Sequence, residues 1–152
     1  MSSESIKLVA RNRKARHQYH ILETWEAGLV LTGSEVKALR QGSASLSDAH
    51  ARLERGEVWL YSLHIGPYGP AGPDAHEFKR RRKLLLRRQE IRRLIGKVEQ
   101  AGLTLIPLEI YFRDGVAKMK LALARGKRQQ DRREDIKRRE ADREMGRARK
   151  NR

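Results

Sequence analysis

The chain sets 35 Lys and Arg against 19 Asp and Glu in 152 residues, a formal net charge of +16 and enough length for one cored domain but hardly two. That excess repels itself in a compact fold and calls for a polyanion, either nucleic acid or an anionic membrane surface. The lack of cysteine excludes disulfides, zinc ribbons and thiol nucleophiles and fits a reducing cytoplasm, while no stretch approaches the roughly 18 apolar residues of a membrane span and residues 1–9 lack the apolar segment of a secretory signal.

In chain order, the first feature is a basic cluster: Asn12, Arg13, Lys14, Ala15, Arg16, His17, Gln18 and Tyr19. Its cations suit phosphates, and Tyr19 or His17 suits stacking on a nucleotide. The same residues suit a solvated arm with Tyr19 packed in the core, and composition does not separate the two. Strands are predicted over residues 19–25 and 27–31. A short helix over 34–40 then buries Val36 and Leu39, with Thr32 or Ser34 as cap and Gly42 as stop. A strand over 49–54 turns at Arg55-Gly56 into one over 57–65. There Trp59, Tyr61, Leu63 and Ile65 share a face, opposite Val58, Leu60, Ser62 and His64.

Residues 66–83 hold three of the four prolines and the run Lys79-Arg80-Arg81-Arg82-Lys83, which predicts an exposed loop. A strand over 84–87 precedes a helix over 89–101. The stripe Ile91, Leu94, Ile95, Val98 and Ala101 marks that helix, and Gly102 stops it. The strand over 104–112 sets Thr104, Ile106, Leu108, Ile110 and Phe112 on one face, with Glu109, Tyr111 and Arg113 pointing away. Pro107 marks an edge or a bulge. Asp114-Gly115 predicts a hairpin, after which Met119, Leu121 and Leu123 point inward and Lys118 and Lys120 outward. About six strands and one or two helices predict a mainly β fold over residues 1–126, an OB-like closed or partly open barrel.

Residues 127–152 differ in composition. Twelve Lys and Arg face six Asp and Glu, and only Ile136, Ala141, Met145 and Ala148 are apolar, too few to bury a helix face. Asp131 followed by Glu134 makes a start like a capping box. This tail is expected to be disordered alone and helical against RNA.

No catalytic constellation emerges. His17 and His20, three apart on a strand, point to opposite faces, and no carboxylate pair completes a metal site. Glu26, Glu35 and Asp48 lie among basic residues and suit salt bridges or caps better than acid–base work. No phosphate-binding glycine loop or nucleophile elbow appears. Neither an enzyme nor a cofactor is expected. With few aromatic residues, backbone and shape recognition should dominate over sequence readout.

Ordered blocks carry a more specific signal. Asn12-Arg13-Lys14-Ala15 with His17 and Tyr19, then Glu26-Ala27-Gly28, resembles the opening of the SsrA-binding protein family (small protein B). Gly33-Ser34-Glu35-Val36-Lys37-Ala38-Leu39-Arg40 with Gly42 is similar to that family's first helix. Arg82-Lys83-Leu84-Leu85-Leu86 with Glu90-Ile91, then Gly102-Leu103-Thr104, Pro107-Leu108 and Tyr111-Phe112, follow in the family's order. Ala124-Arg125-Gly126-Lys127, Asp131-Arg132-Arg133 and Ile136-Lys137 resemble its barrel exit and tail.

The resemblance implies an OB-type closed six-stranded barrel with two or so accessory helices and a basic C-terminal tail. It implies binding of the tRNA-like domain of transfer-messenger RNA and its delivery to stalled ribosomes for trans-translation, the tail probing the empty mRNA channel. The implied RNA face of the barrel comprises Asn12, Lys14, His17, Tyr19, Glu26, Lys37 and Arg40. The basic surface adds Arg13, Lys83, Lys118 and Lys120. In the tail, Gly126, Lys127, Asp131, Arg132, Arg133, Ile136 and Lys137 are carried over, with Arg128 and Arg138 beside them. Gln130 stands where many members have His, so a stacking role for that His is not carried over. Implied partners are transfer-messenger RNA, the ribosomal decoding centre with its RNA, and elongation factor Tu. The chain is expected to be monomeric and away from membranes. A general RNA chaperone or ribosome-assembly factor fits the composition equally well, whereas a nuclease lacks candidate catalytic groups.

Overall fold

A computed structural model describes residues 5–67, 77–98, 103–127 and 129–150. Its elements are β1 (Ile6–Arg11), α1 (Ala15–Gln18), β2 (Tyr19–Leu29), α2 (Gly33–Arg40), β3 (Ala44–Ser45), β4 (His50–Glu54), β5 (Glu57–Tyr61), β6 (His64–Ile65), β7 (Arg82–Leu85), α3 (Arg88–Val98), β8 (Leu103–Arg113), β9 (Val116–Gly126) and α4 (Gln129–Lys150). The expected strands over 19–25 and 27–31 are one continuous strand, β2. The strand expected over 84–87 begins earlier, at Arg82.

Six strands form a ring in the order β8–β4–β5–β7–β2–β9, closed by the pairing of β8 with β9, and all its pairings are antiparallel. In β2, Gly28 pairs with Lys118 of β9 on one edge and with Leu85 of β7 on the other. The edge of β8 away from β9 serves two neighbours in turn. On β8, Leu105 faces β4 while Glu109 to Arg113 face β1. Both tight turns predicted from the residues are present. Arg55 and Gly56 have φ of 50° and 76°, and Asp114 and Gly115 have 49° and 82°, the left-handed pair that a two-residue hairpin requires.

The main core fills the ring with Val58, Leu60, Leu84, Leu105, Ile110, Met119, Leu121 and Leu123, joined by Leu39 of α2 and Leu94 of α3. A second, smaller core lies where α1 covers β8 and β9. Ala15 packs there on Ile106, Leu108, Ala122 and Ala124, and the three alanines let the helical turn approach closely.

Two strands depart from simple alternation. The strand expected over 57–65 is interrupted at Ser62, whose φ of 60° takes it out of extended backbone. Val58 and Leu60 face inward before the break, and Leu63 and Ile65 after it. In β8 the register shifts between Pro107 and Glu109, so Leu108 is a bulge. Ile106 and Leu108 therefore enter the small core, while Ile110 and Phe112 enter the main one. The bulge expected at Pro107 is present.

α2 starts with a capping box. The Glu35 amide donates to Thr32 Oγ1, and Glu35 Oε1 accepts from the Thr32 amide at 2.9 Å. Thr32 is thus the cap, and Gly42, with φ of 77°, follows the helix. Leu39 is buried as expected, Val36 only partly so. The stop expected at Gly102 and half of the 66–83 loop, residues 68–76, lie outside the described residues.

The described side chains of α4 are exposed, Ile136 to 42% and Met145 to 63%. With no buried face, its helicity rests on propensity and local charge pairs, which leave a helix of this length marginal in water. Circular dichroism of a peptide spanning 127–152 should therefore show low helicity that rises on adding RNA. A stable helix in buffer alone would contradict this.

Candidate nucleic-acid interface

The basic cluster folds as a turn anchored from both sides. After β1, the Asn12 amide N–H donates to Leu108 O at 2.8 Å, and its side-chain Nδ2 donates to Pro107 O at 3.1 Å. Asn12 thus holds the chain against the β8 bulge. Beyond α1, the Lys127 N–H donates to Gln18 O, and Lys127 Nζ donates to Arg16 O, both at 2.8 Å. These anchors hold Arg13, Lys14, Arg16 and His17 at the surface. Tyr19 packs, partly buried, against the small core, the blander of its two expected roles.

Next to this turn, two hollows run together across β1, β8, β9 and β2, sharing Arg11, Glu109 and Lys120. One, of about 360 Å³, is lined by Asn12, Arg13 and Arg16. The other, of about 420 Å³, is lined by Ile6, Leu8, Trp25, Glu26, Tyr111 and Arg113. Arg11 pairs with Glu109 at 3.3 Å. Glu26 Oε2 accepts from Tyr111 Oη at 2.6 Å and from Arg113 Nε at 2.9 Å. The Tyr111 bond holds the Glu26 carboxyl below its ordinary range; burial opposes this and Arg113 adds to it. Burial and the Glu26 bond push the Tyr111 hydroxyl up to about 12. Glu26 therefore stays ionised as an acceptor, a poor starting point for proton transfer. Tyr111 points away from the main core as expected, yet is buried against Glu26.

Other predicted cations lie around this groove or apart from it. Lys120 lines it, and Lys118, also on β9, stands opposite Tyr111 and Gly28 in register. Lys37 is exposed on α2, and the Arg40 guanidinium lies over the Phe112 ring at 5.6 Å, bringing the last turn of α2 to β8. Lys83 sits elsewhere. It pairs with Glu57 at 3.0 Å and stands opposite Trp59, whose ring carries Arg81 at 4.2 Å. β5 is three strands from β9 either way round the ring, so that wall faces away from the groove.

The run from Lys79 to Lys83 is not one solvated basic patch, because Arg82 is fully buried and Arg80 is paired with Glu35. Of the tail residues, Gly126 ends β9 opposite Tyr19, and Lys127 anchors α1. Arg128 lies outside the described residues. Asp131 and Arg132 belong to the backbone of α4, while Arg133, Ile136, Lys137 and Arg138 are exposed on it.

Sequence reasoning placed Arg16 in the basic cluster but did not single out Arg11, Trp25, Tyr111 or Arg113 as interface residues. The available signal was alternation in β2 and β8, which sends Trp25 and Glu26 to opposite sides and gives no hint that one hollow reaches both. Among the described residues, no group of three or more His, Asp or Glu is placed to hold a metal. No helix among them is long and apolar enough to cross a membrane.

Comparison with known proteins gives one consistent answer. The family model described as SmpB protein matches residues 9–151. The SsrA-binding protein of Desulforudis audaxviator is 56% identical over 148 residues, 97% of each chain. That of a Nostoc species is 55% identical over 150 residues, 98% of this chain and 97% of its own. A solved structure described as "tmRNA-SmpB: a journey to the center of the bacterial ribosome" contains a chain 51% identical to this one. The two superpose with a TM-score of 0.66 over 83% of this chain and 92% of that one.

Proposed function

Because the chain belongs to the SmpB protein family, we propose that it binds the tRNA-like domain of transfer-messenger RNA and delivers it to stalled ribosomes for trans-translation. The ring acts as an OB-type barrel, and the tail enters the empty mRNA channel as a helix and probes it. The working form is a monomer, accompanied to the ribosome by elongation factor Tu. Neither catalysis nor a cofactor is part of the role.

The groove beside α1 is the observation that carries the RNA-binding half of this reading. Five cations (Arg11, Arg13, Arg16, Arg113 and Lys120) line the two adjoining hollows, with Tyr111 in the larger one and Glu26 and Glu109 the two acids among them. Phosphates hold an RNA in place, while an aromatic wall and a fixed acceptor suit bases that have left a helical stack. Lys14, His17 and Lys37 extend the same role.

Substitution tests it. Glu26→Ala, or a Lys37/Arg40 double replacement by Ala, should weaken capture of the tRNA-like domain by about tenfold or more with the fold retained, as for loss of one or two charge-assisted contacts. Binding assays with a thermal melt as control check this. Unchanged affinity in both variants would remove these residues from the interface.

A further inference from the structure

The wall formed by β4, β5 and β7, on the far side of the ring from the groove, carries rings and cations in contact. Val58 and Leu60 of β5 are buried in the core, so alternation turns Trp59 and Tyr61 outward, and Lys83 of β7 stands opposite Trp59. The Arg81 guanidinium lies over Trp59, 4.2 Å from the ring centre, and that of Arg52 lies over Tyr61 at 5.4 Å. His50 stacks on Tyr61, the two rings 14° from parallel. Two acids hold this arrangement. Glu54 accepts from the Tyr61 hydroxyl and pairs with Arg81 at 3.4 Å, and Glu57 pairs with Lys83 at 3.0 Å. Beside Trp59 lies a hollow of about 400 Å³, bounded by Glu54, Arg55, Glu57 and Arg81. The Arg81 side chain keeps 54% of its surface exposed there.

We propose, resting on the RNA-binding reading above, that this wall is a second RNA site. It takes an unstacked nucleotide of a single-stranded segment while the groove holds the tRNA-like domain. The base enters the hollow and stacks on the Arg81 guanidinium, which the Trp59 ring backs and Glu54 holds in place. The flanking phosphates meet Arg55 and Lys83. A duplex, whose bases already stack on one another, would need the cations but not the rings. A protein partner fits less well. Four cations (Arg52, Arg55, Arg81 and Lys83) stand here against two acids already paired, whereas the centre of a protein interface is depleted in charge. The two sites are independent, because β5 stands three strands from β9 either way round the ring.

Stacking and charge make different demands on one side chain. Arg81→Lys keeps the positive charge and removes the planar group on which a base can lie. An abasic hexamer keeps every phosphate of hexauridylate and removes every base.

The test titrates the full-length chain, already saturated with the tRNA-like domain, with hexauridylate or the abasic hexamer at about physiological salt. It is followed at the Trp59 indole N–H by NMR, so that binding by the tail does not count. Hexauridylate should shift this signal with the same affinity whether or not the tRNA-like domain is bound. The abasic hexamer should bind about tenfold more weakly at Trp59, and Arg81→Lys should weaken hexauridylate by a similar factor. Equal affinity for the two hexamers overturns the proposal, as does full affinity in Arg81→Lys. Loss of the Trp59 response once the tRNA-like domain is bound also overturns it, since the two RNAs would then share one site. If the tRNA-like domain binds while Trp59 never responds, this inference alone fails; if neither RNA binds, the RNA-binding reading fails with it.

Discussion

Cutting the chain after Lys127 is expected to leave capture of the tRNA-like domain nearly intact while abolishing tagging on stalled ribosomes. The described side chains of α4 are exposed, so removing the helix uncovers no core and leaves the ring and its groove in place. The position of the cut matters. Ending the chain at Gly126 instead would also remove the two bonds from Lys127 to Gln18 O and Arg16 O, loosening the α1 turn that presents Arg13, Lys14 and His17. Comparing the two truncations separates a delivery defect from a capture defect. The readouts are affinity for the tRNA-like domain and yield of tagged product in a reconstituted translation system. Loss of capture in the longer truncation product would overturn the division of labour between ring and tail.

The second large effect is on stability. Glu35 and Arg82 are both fully buried and meet at 2.5 Å, with Arg80 on the other carboxylate oxygen. The remaining Arg82 hydrogens reach Leu63 O at 2.6 Å, Arg80 O at 3.1 Å and Phe78 O at 3.2 Å. This one guanidinium therefore ties α2, the end of β5 and residues 77–80 to β7. Removing either partner strands a buried charge, a loss of about 3–5 kcal/mol. For a domain of this size that lowers Tm by roughly 10–20 °C. Glu35→Ala should sit at the upper end, because it also removes one arm of the capping box. Thermal melts of Glu35→Ala and Arg82→Ala check this, and a shift of only a degree or two would contradict it.

The same pair sets an acid limit. Burial raises the Glu35 pKa, but the Arg80, Thr32 amide and Arg82 donors outweigh it and hold the group below its ordinary 4.5. A carboxylate depressed in the folded state contributes its stability fully above the unfolded value and loses it as pH falls through the folded one. The stability of Glu35→Gln should accordingly fall less steeply below about pH 4.5.

The most legible parts of the fold were those set by adjacent residues. Thr32 and Ser34 announced the helix start as alternative caps, of which Thr32 is the one used, and Arg55-Gly56 and Asp114-Gly115 announced their turns. Phase was less legible. Counting by twos cannot see Ser62 leave the extended region or Leu108 bulge out, and each event moves the following side chains to the other face. Arg82 was misplaced because four neighbouring cations suggest a solvated face, while its partner Glu35 lies 47 residues away. The candidate groove was half legible. The Asn12–Tyr19 cluster stands out in any reading of charge, but Glu26, Tyr111 and Arg113 meet only because β2 and β8 both flank β9.

The most direct test of the central claim is competition binding at near-physiological salt, with labelled tRNA-like domain challenged by excess ordinary tRNA and excess unstructured RNA. The account predicts that the complex persists, because the tRNA-like domain engages the groove, the α1 turn and α2 together while the competitors engage them only in part. Displacement by every RNA in proportion to its phosphate count would contradict it and leave a general basic RNA chaperone in its place.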